Sequence, residues 1–353
     1  MKKALALSAS VAAPVLAMVA ALVLGDLLII VFGQSPAAVY RLLLEGTWGN
    51  AYGVGQVLYK ATTLYCTGLA VALGVRAGLF NVGAESQLAF GGFLAALAGL
   101  WLPASAPYYL ALPLALVAAA VGGAAVAALP GVLKARLGTS EVIVTIMLNF
   151  VVLAFLNWIV VARLGVPESL HTEPIRVVSV PRLSVLFPAL HGSAANLTIL
   201  LVPVLAILGA LYLFRTRWGW ETEAVGLQPE AAEAAGVSVA GVCFRTMLLS
   251  GAVAGLGGSN FVLGYKHYYE DGFAGGAGFL GIAVALVGRN HPVGVALAAL
   301  FFATLSQGGL AVNALVPKQM VEILMAAVIL VVAVAAPEVR RVLQGVLVGG
   351  GSK

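Results

Sequence analysis

The stretch FNVGAESQ, residues 80–87, sets two amides and a carboxylate, Asn81, Gln87 and Glu85, between apolar runs. In surroundings without water, such groups hydrogen-bond a polar solute or one another. Thr145 and Asn149 stand four apart in VIVTIMLNF, on one face of a helix, and Asn157 lies eight further along that stripe. Ser250, Ser259 and Asn260 recur in a third apolar stretch beside Gly251 and Gly255. No comparable set of residues exists for making or breaking bonds. The four histidines, at 171, 191, 267 and 291, are far apart and lack ligand spacing. A phosphate-cradling G-x-x-x-x-G-K-[ST], a G-x-S-x-G elbow and an H-E-x-x-H pair are all missing. Cys66 and Cys243 lie in apolar segments and read as core-filling thiols. The candidate chemistry is therefore binding without reaction.

The elements that position these groups are membrane helices. Of 353 residues, 61% are hydrophobic and 9% charged, against about 25% charged in an ordinary soluble domain. A water-soluble globule this poor in charge could not cover its surface, and a disordered chain would be charge-rich. Runs such as VAAPVLAMVAALVL and AAVILVVAVAA are continuous, unlike the alternating strands of an outer-membrane barrel. With about 20 residues per crossing, the apolar runs predict an all-α polytopic protein of about ten transmembrane helices. They fall at 6–32, 61–79, 84–102, 108–133, 141–162, 198–214, 241–264, 278–289, 292–312 and 319–337. The eighth is short and glycine-rich, which leaves open nine crossings plus a re-entrant piece. MKKALALSAS has the basic start of a signal peptide, but its apolar run reaches Phe32, twice the usual length, and reads as a retained first helix. The whole chain, 1–353, reads as a single transmembrane domain.

The net charge of +5 comes from basic residues scattered between apolar runs, which orients a membrane protein and is no nucleic-acid signature. With Lys2 and Lys3 on the cytoplasmic side, twelve of the nineteen lysines and arginines share that side. The bias predicts an even number of crossings with both termini cytoplasmic. Two connections are long. Residues 163–197, rich in proline and β-branched residues, form an outer loop, and residues 215–240 lie inside. In the inner segment Pro229 precedes EAAEAA, a first turn with Glu230 and Glu233 near the positive end of the dipole, and Gly236 is a plausible stop. The expectation is a short amphipathic helix on the cytoplasmic face.

Three segments carry a family resemblance: GVRAGLFNVGAESQLAFGGFLAA (74–96), LKARLGTSEVIVTIMLNF (133–150), and the region from AVGLQPEAAEAAGV (224–237) to GIAVALVGRNHPVGVALAALFF (281–302). Together the chain resembles the permease subunits of bacterial ATP-binding-cassette (ABC) importers, in the branch of ribose-type and branched-chain amino-acid-type permeases. Within it the match is to nucleoside (guanosine, purine-type) importer permeases, grouped broadly with simple-sugar permeases. The resemblance implies an alternating-access importer in the bacterial cytoplasmic (inner) membrane, with this chain one half of a permease heterodimer. It implies separate ATPase subunits that use the ATP, an extracytoplasmic substrate-binding lipoprotein, and no cofactor or metal on this chain. It also implies an E-A-A-x-x-x-G coupling helix, matched by Glu230, Ala231, Ala232 and Gly236, with Pro229 and Glu233 beside them. The usual Ile-x-Leu-Pro continuation is absent, and Arg245-Thr246-Met247-Leu248 stands roughly there.

For such a permease, Phe80, Asn81, Glu85 and Gln87 are candidates to border the transport pathway; a tight cytoplasmic turn in which Glu85 starts the next helix is the alternative. Thr145 and Asn149 line the pathway or bond neighbouring helices. Asn260 belongs to the pathway or to a G-x-x-x-G packing face. Phe80, Phe90, Phe150, Trp158 and Phe261 are the rings available to stack on a base. The sequence leaves open nucleosides, simple sugars such as ribose or galactose, and an ion-coupled secondary transporter.

Overall fold

The structure is a computed structural model; it describes residues 33–313 continuously, with scattered positions at 23–31 and 315–327. Among the described residues there are α-helices, short 3-10 and π turns and three isolated β-bridges, and no strand. The helices are α1 (Pro36–Thr47), α2 (Ala51–Arg76), α3 (Ala84–Trp101), α4 (Tyr108–Leu137), α5 (Glu141–Ile159), α6 (Leu201–Arg215), α7 (Arg217–Leu227), α8 (Pro229–Ala234), α9 (Val239–Phe261), α10 (Ala277–Val287) and α11 (Pro292–Ala311). Among the described residues, six stretches are long and apolar enough to cross a membrane: α2, α4, α5 with its π-helical end, α6 with the 3-10 turn before it, α9 with its π-helical end, and α11. The chain is a multi-pass membrane protein. The helices at the expected spans 84–102 and 278–289, α3 and α10, are not among the six; the expected span at 319–337 and most of that at 6–32 lie outside the described residues, as do both termini and their sidedness, and the count of ten is not reached.

Two helices differ from expectation. α1 was not anticipated, because Arg41 and Glu45 interrupt its apolar pattern; the two form an i, i+4 ion pair at 2.7 Å. α2 starts at Ala51 and not near 61, since Tyr52, Gln56, Tyr59 and Lys60 dilute the hydropathy of a continuous helix.

The chain divides into two compact units, 1–53 with 304–353, and 54–303. In the first, Ile29, Val39 and Val312 form a small buried core, and a Cβ on Gly46 would collide with the Ala311 side chain.

The second unit is built on α3, α4 and α9. On α4 a stripe of small residues, Ala111, Ala115, Ala119, Gly122, Gly123 and Ala127, is buried, while Leu114, Val117 and Val121 are exposed. Helices in lipid gain little from hiding apolar side chains from one another, so backbone approach over small residues drives their packing. Gly123 and Gly255 carry this to the limit. A Cβ on Gly123 would strike the Gly251 carbonyl oxygen, and one on Gly255 would strike that of Ala119. α5 is the inverse of a soluble amphipathic helix. Thr145 and Asn149 are buried, and Ile143, Met147, Phe150 and Val151 are exposed. Polar groups face the bundle and apolar ones face lipid or a neighbouring chain.

The 163–197 segment is pinned to the stretch after α9. Thr172 N–H donates to Tyr269 O (2.9 Å), Ile175 N–H to His267 O (2.7 Å) and Val180 N–H to Leu263 O (2.7 Å). Val178 is fully buried beneath it.

Candidate functional site

The helical ladder breaks after Arg76 and resumes at Ala84. Backbone groups freed inside a membrane need partners, each costing several kcal/mol if left bare. The residues singled out in the sequence supply them. Asn81 and Gln87 form a reciprocal amide pair: Asn81 Nδ2 donates to Gln87 Oε1 (2.8 Å) and Gln87 Nε2 to Asn81 Oδ1 (3.0 Å). Asn81 Oδ1 also accepts from Gly83 N–H (3.0 Å), and Asn81 Nδ2 donates to Ser250 Oγ (2.7 Å), which donates to Ala70 O (2.6 Å). Asn149 reaches across from α5. Its Nδ2 donates to Val82 O (3.0 Å) and its Oδ1 accepts from Ser86 N–H (3.1 Å). Thr145 donates to Glu141 O (2.7 Å) within its own helix. The half-buried Phe80 donates its N–H to Glu141 Oε1 (3.3 Å), and Glu141 pairs with Lys134 at 2.9 Å.

Glu85 joins a second break. Residues 267–276, beyond the π-helical end of α9, are not α-helical, and α10 starts at Ala277. Its eleven residues span about 16 Å, roughly half of a 30 Å hydrocarbon core. α10 is a half-helix. Glu85 Oε1 accepts from Gly276 N–H (2.7 Å) and Oε2 from Gly278 N–H (2.6 Å). The carboxylate of α3 thus caps the N-terminus of α10, where the helix dipole favours a negative charge. The two N-termini are in backbone contact, since a Cβ on Gly278 would collide with Glu85 N and Cα. Thr67 Oγ1 holds the same turn through Ala277 O (3.0 Å).

Asn260 stands apart from this cluster. Its Nδ2 donates to Tyr59 O and Thr63 Oγ1 (both 2.8 Å), and its Oδ1 accepts from Asn196 Nδ2 (2.9 Å) and Thr198 Oγ1 (2.7 Å). Asn196 and Thr198 carry no signal in the sequence, because they lie at the end of a long polar loop.

At the other end, α7 and α8 form a cap on the bundle. Ala232 of α8 is 5% exposed and packs with Ala77, Leu79, Val237, Val242 and Met247. Glu230, Ala231, Glu233 and Gly236 are exposed, as are Pro229 and Ala234. The 215–240 segment therefore holds two helices, and its last turn closes at Gly236 with φ +82°, where other residues are strained. A Cβ on Gly226 would strike Arg76 O. Arg76 Nη1 pairs with Glu223 (3.2 Å), its Nε donates to Asn290 O (3.0 Å), and its guanidinium lies over the Phe214 ring. Burial raises the Glu221 carboxyl, but Arg217 at 2.8 Å and Arg245 at 3.3 Å outweigh it and leave it below the usual carboxylate range. Arg76 thus ties α7 to the end of α2 beside the break at 77–83, and Glu221 ties α7 to α9 through Arg245. No group of three or more His, Cys, Asp or Glu side chains among the described residues is placed to hold a metal.

Residues 53–333 match the family described as branched-chain amino acid transport system / permease component. The chain belongs to this permease family. Both breaks, Asn260 and the α7–α8 cap all lie inside the matched region. The permease is 37% identical to the guanosine ABC transporter permease protein NupP of Bacillus subtilis over 91% of this chain and 92% of that one. It is 32% identical to the nucleoside ABC transporter permease protein NupB of Lactococcus lactis (91% and 90%) and 36% identical to the glucose ABC transporter permease protein TsgB13 of Haloferax volcanii (90% and 85%). These relatives are transporter permeases, not enzymes. Bacillus subtilis and Lactococcus lactis each hold a second similar permease, NupQ and NupC, 28% and 26% identical over 70% of this chain.

Proposed function

We propose that this chain is the larger permease subunit of an ATP-driven nucleoside importer of the cytoplasmic membrane, and that α8 is where the motor grips it. The exposed face of Glu230, Ala231, Glu233 and Gly236 beside the buried Ala232 carries this reading. A short helix with one face fixed to the bundle and the other presenting two carboxylates among small residues is fitted to seat in a partner and move with it. ATP is bound and hydrolysed by separate ATPase subunits on the cytoplasmic side, and a binding lipoprotein delivers substrate on the other. The recurrence of two permeases in one organism supports a heterodimer with a second, shorter permease.

Motion enters at α8, passes through Ala232, Gly226 and Arg76 to the 77–83 break, and continues through Glu85 to α10. Phe80, Asn81, Glu85, Gln87, Thr145 and Asn149 form the wall of the pathway at the two breaks, and Asn260 supports it nearer the outer face. The similarity to a glucose permease favours one second reading, a simple-sugar cargo on the same machinery.

Glu230→Lys tests the docking face. The variant reaches the membrane in normal amount, while ATP-driven uptake falls more than about tenfold, because reversing a charge at an interface costs several kcal/mol. Undiminished uptake with normal ATPase association removes α8 as the docking element.

A further inference from the structure

We infer that the rings of Tyr59, Tyr265, Phe261 and Phe273 form a stacking surface for the nucleobase on the outer half of the permease. The inference rests on the nucleoside reading above. The rings form one continuous series. Tyr59 and Tyr265 have centroids 5.3 Å apart, Tyr265 and Phe261 6.1 Å, and Phe261 and Phe273 4.7 Å with planes 22° from parallel. All four are partly exposed. Behind them the series continues into the core as Tyr269 and Phe93, at 5.6 and 5.3 Å, both 2% exposed or less. A ladder built only to fill the core would not leave four consecutive rings half open.

Three further features set these rings apart from lipid-facing aromatics such as Phe150 and Trp158. First, they are fixed by their backbones. Asn260 holds the Tyr59 carbonyl at 2.8 Å, and Arg182 Nη2 donates to the Tyr265 carbonyl at 3.2 Å. Second, Phe261 precedes and Tyr265 lies within a π-helical turn, Val262–Lys266, an irregularity found frequently at functional sites. Third, the series carries cations: Arg182 lies over the Tyr265 ring at 5.7 Å and Lys266 at 5.4 Å. Aromatic rings with cations among them suit a purine, which stacks through its π face and presents acceptor atoms around its edge. A free sugar has no π face and meets a ring only through its C–H bonds.

The test uses proteoliposomes holding this chain with its partner permease and ATPase, supplied with binding protein saturated with guanosine or with cytidine. Tyr265→Leu and Phe261→Leu lower guanosine uptake about tenfold, as expected for losing one stacked ring, and lower cytidine uptake less, because the smaller base stacks less. Tyr265→Phe retains uptake. Tyr265→Trp also retains it and adds a fluorescence that guanosine quenches. Unchanged guanosine uptake in both leucine variants, or equal loss for both nucleosides with no quenching, overturns the stacking surface and leaves the nucleoside reading standing. Wild-type vesicles that take up glucose and no nucleoside overturn both.

Discussion

Gly255→Leu empties the membrane of folded permease. Gly255 sits where α3, α4 and α9 meet without side chains between them. A Cβ on Gly255 falls 2.9 Å from Gly123 Cα and N and collides with Ala119 O, and one on Gly123 falls 2.8 Å from Gly255 Cα and N. From the third helix, a Cβ on Gly91 would collide with Gly255 Cα. These neighbours are backbone, so no rotamer change makes room. Overpacking a core costs about 1–3 kcal/mol even where side chains can shift, and here three helices must separate. A loss of that size is a large share of a typical stability of about 5–15 kcal/mol. The yield of monodisperse protein extracted from membranes should fall more than about tenfold, with Gly255→Ala intermediate. A normal yield of Gly255→Leu would mean that the three backbones do not touch.

Glu85→Ala is expected to act on transport more than on folding. It leaves the Gly276 and Gly278 N–H groups without an acceptor at the start of a half-helix. Hydrogen bonds to a charged group are worth about 1.5–3 kcal/mol each. The loss falls on one turn, while the α3–α4–α9 packing stays intact. The permease should therefore be recovered from membranes, and ATP-driven uptake should drop more than about tenfold. Glu85→Gln keeps one acceptor but turns an NH2 toward an N–H, so it recovers only part of the activity. Full uptake by Glu85→Ala, measured against the amount of protein in the vesicles, would show that the cap on α10 plays no part in transport.

The sequence made the long helices legible because their apolar runs are continuous: α4, α5, α6, α9 and α11 begin and end within a few residues of expectation. It hid α1, whose ion pair breaks the pattern, and α7, whose RWGWETEAVGL mixes exposed tryptophans with buried Glu221 and Thr222. The polar residues at 81–87 were visible because an amide or carboxylate in an apolar run is conspicuous. What they bond was not. Glu85 finds its partners 191 and 193 residues later in the chain, and they are backbone N–H groups, which carry no sequence signal. Thr145 and Asn149 share a face as their spacing predicts; Asn149 hydrogen-bonds the 77–83 connection, while Thr145 only packs its Cβ beside Gly83. The starts of α3 and α10 were both readable as glycine-rich interruptions, while their mutual contact is a property of the fold alone.

A passive conduit worked by ATPase subunits on other chains moves substrate only when those subunits turn over. The measurement is uptake of labelled guanosine into proteoliposomes holding this chain, the second permease and the ATPase, with ATP enclosed and loaded binding protein outside. Uptake is expected to require the enclosed ATP and to be indifferent to an uncoupler. Uptake that proceeds without ATP and collapses when the ion gradient is dissipated would instead make this chain an ion-coupled transporter.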